Sequence, residues 1–319
     1  MIIKELKKPI ILRKLEALLL RLPVNHPKRS EIEGQLANRF KGYRGEMALH
    51  YPFSYLTKDK YQIMHTLRLW DGAHFFQMDT LLLSSNYLLI IEVKNISGTI
   101  IFDQNFKQMI RITADKEEAF EDPLLQVARH KHQLQEWLNH KKLPRIPIET
   151  LVVFSNPHTL LKSTGPGLGK KVTHISNLIP LIKDFEKYYK NEVMTSSQLK
   201  KLARLMLKNN DAGNPDVLKW FKIQKDELIR GTQCPVCLYT PMARYHHGWK
   251  CVHCEHYSTI AHLAAIEHYV LLIGQELTNK DIKEFLVLSS TSAAKRVLLS
   301  LNATHIGTTK SRKYFIPLD

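Results

Sequence analysis

Three charged side chains stand in two predicted strands that are otherwise apolar. The segment YLLIIEVKN, residues 87–95, ends an apolar run with Glu92 and Lys94, and Asp79 interrupts FFQMDTLLL. Because side chains alternate faces along a strand, Glu92 and Lys94 project together, about 7 Å apart. A buried carboxylate is costly without a hydrogen-bond partner or a metal. Two acids on adjacent strands can share a divalent cation, and Mg²⁺ suits this role because it keeps several waters and accepts phosphate oxygens.

Residues of these types would support hydrolysis of a phosphate ester. The cation polarises a phosphoryl oxygen and lowers the pKa of a bound water. The lysine stabilises negative charge in the transition state or orients the attacking water. Glu46 is the candidate for a third acid, supplied by a helix. The alternative is structural: Glu92 and Lys94 form an exposed ion pair at the strand end, and Asp79 accepts a hydrogen bond within a hairpin.

The surrounding sequence predicts an α/β domain that positions these residues. Residues 74–95 predict a hairpin with a Ser-Ser-Asn turn, and GTIIFDQNFKQMIRIT predicts a further pair of strands. Ser30 and Glu33 form a capping-box pattern at a helix start. Asp122-Pro123 begins a strong helix with Pro at its first position, and ETLVVFSN is apolar enough for a central strand. This order of elements is typical of an α/β domain of about 150 residues.

The pattern of an acid, twelve residues and then E-x-K resembles the PD-(D/E)XK nuclease core. Four segments, GYRGE, MDTLLL, IEVKN and DPLLQ, come in the order and rough spacing of the NERD (nuclease-related) domain family. The resemblance covers roughly residues 37–155, with Asp122 where the family usually has Asn; either residue can cap a helix.

The resemblance implies a role for each matching position. The metal-site acids would be Glu46, Asp79 and Glu92, and Lys94 would be the catalytic lysine. Gln126 would be an accessory polar group on the helix beside the sheet. His130 and His132 lie on that same helix, and we expect them to face solvent or nucleic acid.

Four cysteines are grouped late in the chain. The spacing is C-x2-C, thirteen residues, then C-x2-C, and two such knuckles can enclose a structural Zn²⁺ with four thiolates. The metal would supply much of the folding energy of so small a module. The predicted ligands are Cys234, Cys237, Cys251 and Cys254.

The cysteine segment also resembles the zinc ribbons of bacterial type I topoisomerases, which bind single-stranded DNA. The resemblance implies that basic and aromatic residues of the ribbon stack on bases and contact phosphates. The alternative is that the aromatic residues only cover the metal. The candidate nucleic-acid-binding residues here are Arg244, Tyr245, Trp249 and Lys250.

The last 60 or so residues predict three helices and a basic hairpin. This order resembles a winged helix-turn-helix, which docks its third helix in a groove and its wing on the backbone. Winged helices also bind proteins, so both kinds of partner stay open. The candidate contacts are Lys295, Arg296, Lys310, Arg312 and Lys313.

Composition favours a polyanionic partner. The chain has 319 residues and a formal net charge of +16, which points to nucleic acid before a membrane surface. No segment is apolar for long enough to span a bilayer, and no signal peptide is apparent. We therefore expect a cytoplasmic location, where thiols stay reduced.

The expected fold is α/β, a restriction-endonuclease-like mixed sheet flanked by helices, with a small zinc ribbon and a winged-helix-like C-terminal module. The favoured function is a DNA nuclease with catalytic Mg²⁺ or Mn²⁺ and structural Zn²⁺. The alternatives are a catalytically inactive nucleic-acid-binding protein and a regulatory adaptor. The expected segments are an N-terminal helical extension (1–36), a nuclease-like domain (37–190), a helical connector (191–230), a zinc ribbon (231–258) and a winged-helix-like module (259–319).

Overall fold

A computed structural model describes residues 1–57, 59–301, 303–308 and 312–318. The chain divides into two compact units. Unit 1 comprises Met1–Lys8 and Asn38–Gly213, and unit 2 comprises Pro9–Ala37 and Asn214–Asp319. One boundary between the units, at Ala37, falls inside a single helix.

Elements are numbered along the chain. The helices are α1 (Ile10–Arg21), α2 (Arg29–Met47), α3 (His50–Phe53), α4 (Pro123–His140), α5 (Leu178–Tyr188), α6 (Ser196–Lys208), α7 (Val217–Phe221), α8 (Ala261–Leu272), α9 (Asn279–Phe285) and α10 (Thr291–Ser300). Short 3₁₀ turns lie at Leu168–Lys170, Ile175–Asn177 and Lys225–Glu227.

The strands are divided between the two units. Those of unit 1 are β1 (Ile2–Lys4), β2 (Gln62–Trp70), β3 (Phe75–Leu83), β4 (Leu88–Lys94), β5 (Gly98–Asp103), β6 (Gln108–Ile112), β7 (Glu117–Glu121), β8 (Ile148–Phe154), β9 (Thr159–Ser163) and β10 (Val172–His174). Those of unit 2 are β11 (Ala243–Tyr245), β12 (Gly248–Lys250), β13 (Tyr257–Ser258), β14 (Glu276–Leu277), β15 (Thr304–Ile306) and β16 (Lys313–Phe315).

Unit 1 is built on a six-stranded mixed sheet in the order β1-β2-β3-β4-β8-β10. Strands β2, β3 and β4 are antiparallel neighbours, whereas β4, β8 and β10 run parallel. A second sheet has the order β7-β6-β5-β9. A mixed sheet flanked by helices is consistent with the restriction-endonuclease-like fold expected from the sequence.

The central position of β4 follows from its apolar residues. Ile90 faces a core formed with α4 and α6, whereas Leu89 and Ile91 face a core formed with α3 and α5. Both faces are therefore covered, as the apolar run predicts. Ser84 closes the hairpin, because its hydroxyl donates to the Tyr87 carbonyl (2.7 Å) and accepts from the Tyr87 amide (3.1 Å).

Two segments that we set apart from the nuclease-like domain contribute to unit 1. Met1–Lys8 lies in the expected helical extension, yet its first residues form the edge strand β1, parallel to β2. Helix α6 lies in the expected connector, but its apolar stripe of Leu199, Leu202 and Met206 packs into the core of the sheet. A helix begins within one residue of the start that the Ser30–Glu33 pattern predicts, but Ser30 lies inside α2, which begins at Arg29.

Unit 2 joins the cysteine segment to the C-terminal helices through a shared core. Strands β11, β12 and β13 form one small antiparallel sheet, and β14, β16 and β15 form another. Trp249 and Cys251 pack in the same core as Ile266, Leu277 and Tyr314. The three expected helices and the hairpin that follows them are present, whereas Lys310 lies outside the described residues. Among the described residues, no helix is long and apolar enough to cross a membrane.

Candidate active site

Two central strands separate where the acids lie. The ladder between β3 and β4 runs from Leu83–Leu88 to Thr80–Ile91 and ends there. The next amide on that side, from Val93, donates instead to Asp79 Oδ2 at 2.9 Å. Strand β4 nevertheless stays paired with β8 as far as Lys94. The carboxylate of Asp79 thus replaces a backbone acceptor, and the sheet opens beside it.

Glu92, Lys94 and Gln126 form a connected group on the face that packs against α4. Lys94 Nζ donates to Glu92 Oε1 at 2.6 Å and to Gln126 Oε1 at 3.0 Å. Gln126 reaches the lysine because α4 begins at a fixed point, where Asp122 Oδ1 accepts from the Leu124 amide at 2.8 Å. Asp122 therefore performs the capping role expected of it.

Helix α2 brings Glu46 to this site by a close approach to the sheet. A Cβ atom at Gly45 would lie 2.7 Å from the Asn95 Cβ and 3.0 Å from the Ser155 Oγ. Only glycine allows this contact between the helix and the ends of β4 and β8. The Asn95 side-chain amide also donates to the Lys41 carbonyl at 2.9 Å, which ties the helix to the end of β4.

Burial and neighbouring negative charges raise the pKa values of Glu46 and Asp79. Burial raises the pKa of Glu46 to about 8, and the charges of Asp79 and Glu92 add to the rise. Burial and the charge of Glu92 raise the pKa of Asp79 to about 7. Perturbation by burial and like charges is typical of functional sites.

The donor atoms available to a cation are unsatisfied carboxylate oxygens. Within the described part of the chain, Glu46 Oε2 and Glu92 Oε2 are buried and have no hydrogen-bond partner. Buried polar atoms without partners call for a bound ion or water. The carboxylate oxygens of the three acids do not all lie close enough together to form a cluster of metal ligands. Among the described residues, only the four cysteines form such a cluster. The arrangement therefore fits a cation such as Mg²⁺, which needs only one or two carboxylates beside water and substrate oxygens.

Two further residues lie near the acids, His130, which we expected to face solvent or nucleic acid, and Lys4, which sequence reasoning missed. His130 lies one helical turn after Gln126 and, contrary to a freely solvated position, is half-buried. Its Nδ1 atom is buried without a partner among the described residues, and burial lowers the pKa of its imidazole against the opposing effect of Glu92. The four-residue spacing from Gln126 was the available signal. Lys4 is the second, and its charge opposes the rise in the pKa of Glu46.

The four cysteines converge as the spacing predicts. Their Sγ atoms all lie within 4.8 Å of one another, with Cys234 and Cys254 at 3.6 Å and Cys237 and Cys251 at 3.5 Å. A tetrahedral site with Zn–S bonds of about 2.3 Å has S···S edges of about 3.8 Å. The His253 amide donates to Cys251 Sγ at 3.4 Å, an additional hydrogen bond to the thiolate. The cluster is compatible with a zinc ribbon.

The candidate nucleic-acid contacts differ in their exposure. Trp249 is only 1% exposed, and its indole N–H donates to His262 Nδ1 at 3.2 Å. It therefore packs as a core residue and cannot stack on a base in this conformation. Lys250 and Arg312 are half-buried. The exposed candidates are Arg244, Tyr245, Lys295, Arg296 and Lys313, the last of which pairs with Glu276 at 3.0 Å.

The close approach at Gly45 predicts different effects for two glycines of α2. Gly45→Ala should destabilise the protein by about 1–3 kcal/mol, because the new methyl group meets Asn95 and Ser155. Gly42→Ala meets nothing within 4 Å and should be neutral or stabilising by up to about 1 kcal/mol. Denaturant unfolding of both variants checks this, and equal free energies of unfolding would contradict the close approach.

The raised pKa of Glu46 predicts a pH-dependent stability. Because the folded protein holds this proton more tightly than the unfolded chain, stability is lost as pH rises from the ordinary value of 4.5 towards 8. In EDTA, the Tm of Glu46→Gln should therefore exceed that of the wild type by more at about pH 8 than at about pH 5. Glu33→Gln, at an exposed position of the same helix, is the control. A Tm difference that does not change with pH would contradict this electrostatic picture.

Comparison with known proteins identifies a family for part of the chain. Residues 41–155 match the family model of the nuclease-related domain, NERD. Neither a curated protein nor a solved structure matches the chain. The matched range contains all five residues of the candidate site that the sequence predicts, and it ends just after β8. Residues 41–155 of this chain are therefore a nuclease-related (NERD) domain.

Proposed function

We propose that the protein is a divalent-cation-dependent nuclease that hydrolyses phosphodiester bonds in DNA. The observation that supports this most strongly is the group formed by Glu92, Lys94 and Gln126 beside the separated strands, with a carboxylate oxygen buried and unpartnered among the described residues. A purely structural ion pair would not leave Glu92 Oε2 in this state, because a buried acceptor normally finds a donor.

Each residue has a distinct role in this proposal. Asp79 and Glu92 would hold the cation, and Glu46, whose Oε2 is also buried without a partner among the described residues, would complete or orient the metal site. When bound, Mg²⁺ or Mn²⁺ would polarise the phosphoryl oxygen and lower the pKa of a water. Lys94 Nζ gives two of its N–H groups to Glu92 and Gln126, so the third remains to stabilise charge on the phosphoryl oxygens in the transition state.

Unit 2 is proposed to bind the nucleic acid. Four cysteines fill every position of a tetrahedral site, so a zinc ion there would be structural. The C-terminal helices and hairpin are proposed to form a winged-helix-like module. Trp249 is left out of the proposed nucleic-acid contacts because it is buried. We also propose a cytoplasmic location, where these thiols would stay reduced. The proposed contacts are Arg244, Tyr245, Lys250, Lys295, Arg296, Lys310, Arg312 and Lys313.

A second candidate is a nucleic-acid-binding protein without catalysis. It is favoured by the contacts that the acids already make, since Lys94 binds Glu92 Oε1 and the Val93 amide binds Asp79 Oδ2. Carboxylates that already have these hydrogen-bond partners could keep this arrangement in the folded protein without a cation. A regulatory adaptor that binds protein through unit 2 is the third possibility from the sequence.

A cleavage assay separates these functions. Linear, nicked and single-stranded DNA would be incubated with the protein and Mg²⁺, Mn²⁺ or EDTA. We expect cation-dependent cleavage that falls at least about 100-fold in Glu92→Gln and Lys94→Met, as for loss of a group that stabilises transition-state charge. Lys131→Met, at an exposed position of α4, should cleave like the wild type.

The other outcomes identify the alternatives. Tight, salt-sensitive binding to DNA without cleavage under any cation would support the non-catalytic protein. If the protein binds no nucleic acid, the regulatory adaptor would be the remaining possibility. Cleavage that survives both substitutions would contradict the assignment of this site.

The shared core of unit 2 predicts the effect of removing its metal. Elemental analysis should find about one zinc ion per chain, and Cys237→Ser should lower this content. Because the cysteines and α8–α10 pack in one core, a strong chelator should also unfold these helices, seen as a loss of helical circular dichroism. A zinc-free protein with full helical signal would contradict the metal site.

A further inference from the structure

Lys4 makes three hydrogen bonds inside unit 1. It belongs to the edge strand β1, whose parallel pairing with β2 shifts register between Ile2 and Lys4. The Lys4 ammonium, half-buried, donates to the His65 carbonyl (2.7 Å), the Thr66 carbonyl (3.0 Å) and the Thr66 hydroxyl (3.1 Å). Each of its three N–H groups thus has an acceptor within reach. Lys4 lies outside the residues that match the NERD family model.

Thr66, which receives two of these bonds, has a strained backbone. Its φ is +49° in the middle of strand β2. A β-branched residue in the left-handed region is a genuine outlier, because its side chain is crowded against the backbone there. Such strain persists only where surrounding contacts enforce it, and the Lys4 ammonium supplies contacts to both the carbonyl and the hydroxyl of Thr66.

The strained residue lies opposite the candidate acid Asp79. The ladder between β2 and β3 pairs His65 with Thr80 and Leu67 with Met78, and Thr66 and Asp79 stand between these pairs. The interruption therefore falls at the residue whose carboxylate turns to the Val93 amide on the other neighbouring strand.

We infer that Lys4 is a positioning residue for Asp79. By holding Thr66 in its left-handed conformation, Lys4 keeps the β2–β3 ladder interrupted at Asp79 and preserves the hydrogen bond that the Val93 amide donates to Asp79. The consequence for a cation at Asp79 rests on the proposed function. The N-terminal strand is then part of the working site, although it is remote in sequence from the NERD domain.

The Val93 amide reports on this role without any cation. In Lys4→Met, hydrogen exchange at the Val93 amide should accelerate at least about tenfold, the effect of losing a bond to a charged acceptor, while the ladder between β4 and β8 keeps its protection. Lys7→Met, at an exposed neighbour, is the control. Glycine adopts a positive φ without steric cost, so Lys4→Met/Thr66→Gly should recover most of the protection at Val93.

The cation response provides a second readout. The Mg²⁺ concentration for half-maximal thermal stabilisation should rise about tenfold in Lys4→Met, as for residues that orient metal ligands, and fall again in the double variant. Unchanged protection at Val93 in Lys4→Met, or no recovery in the double variant, would overturn the inference. A wild type that responds to neither Mg²⁺ nor Mn²⁺ would instead refute the proposed function, and Val93 exchange would still decide the role of Lys4.

Discussion

The hydrogen bond from the Val93 amide to the Asp79 carboxylate is the interaction on which the candidate site depends. An amide in the middle of a sheet needs an acceptor, and here a side chain provides it where a backbone carbonyl would otherwise stand. Strands β3 and β4 can therefore separate without leaving this donor unpaired. The pairing with β3 ends before Glu92 and Lys94, which project at the end of β4, while pairing with β8 keeps β4 in place.

Negative charges lie close together at this end of β4. The charges of Asp79 and Glu92 raise the pKa of Glu46, and the charge of Glu92 raises the pKa of Asp79. Two lysines oppose these shifts from different strands, Lys4 on β1 at Glu46 and Lys94 on β4 at Asp79. The apolar parts of β3 and β4 are buried between helices on both faces, and their packing offsets the cost of holding like charges together. A divalent cation would stabilise such a site, and in its absence protons would do so.

Sequence patterns predicted the parts of the site that depend on local structure. The hairpin, the Asp122 cap and the cysteine spacing each follow from a few adjacent residues, so Asp79, Glu92, Lys94 and Gln126 were placed on the correct elements. Lys4 was missed because a three-residue strand carries little pattern, and its partner His65 lies 61 residues away. For Trp249 the sequence leaves base stacking and cover for the metal both open, because its burial depends on His262 and on the shared core of unit 2. Nothing within the cysteine segment indicates that packing.

The most direct test of this account is the position of a divalent cation in a crystal of the protein grown with Mn²⁺. The anomalous signal of manganese would locate the ion independently of any activity. We expect a peak in contact with carboxylate oxygens of both Asp79 and Glu92. Anomalous density that avoids these two residues, with Lys94 still bound to Glu92, would contradict a cation-dependent active site at the end of β4.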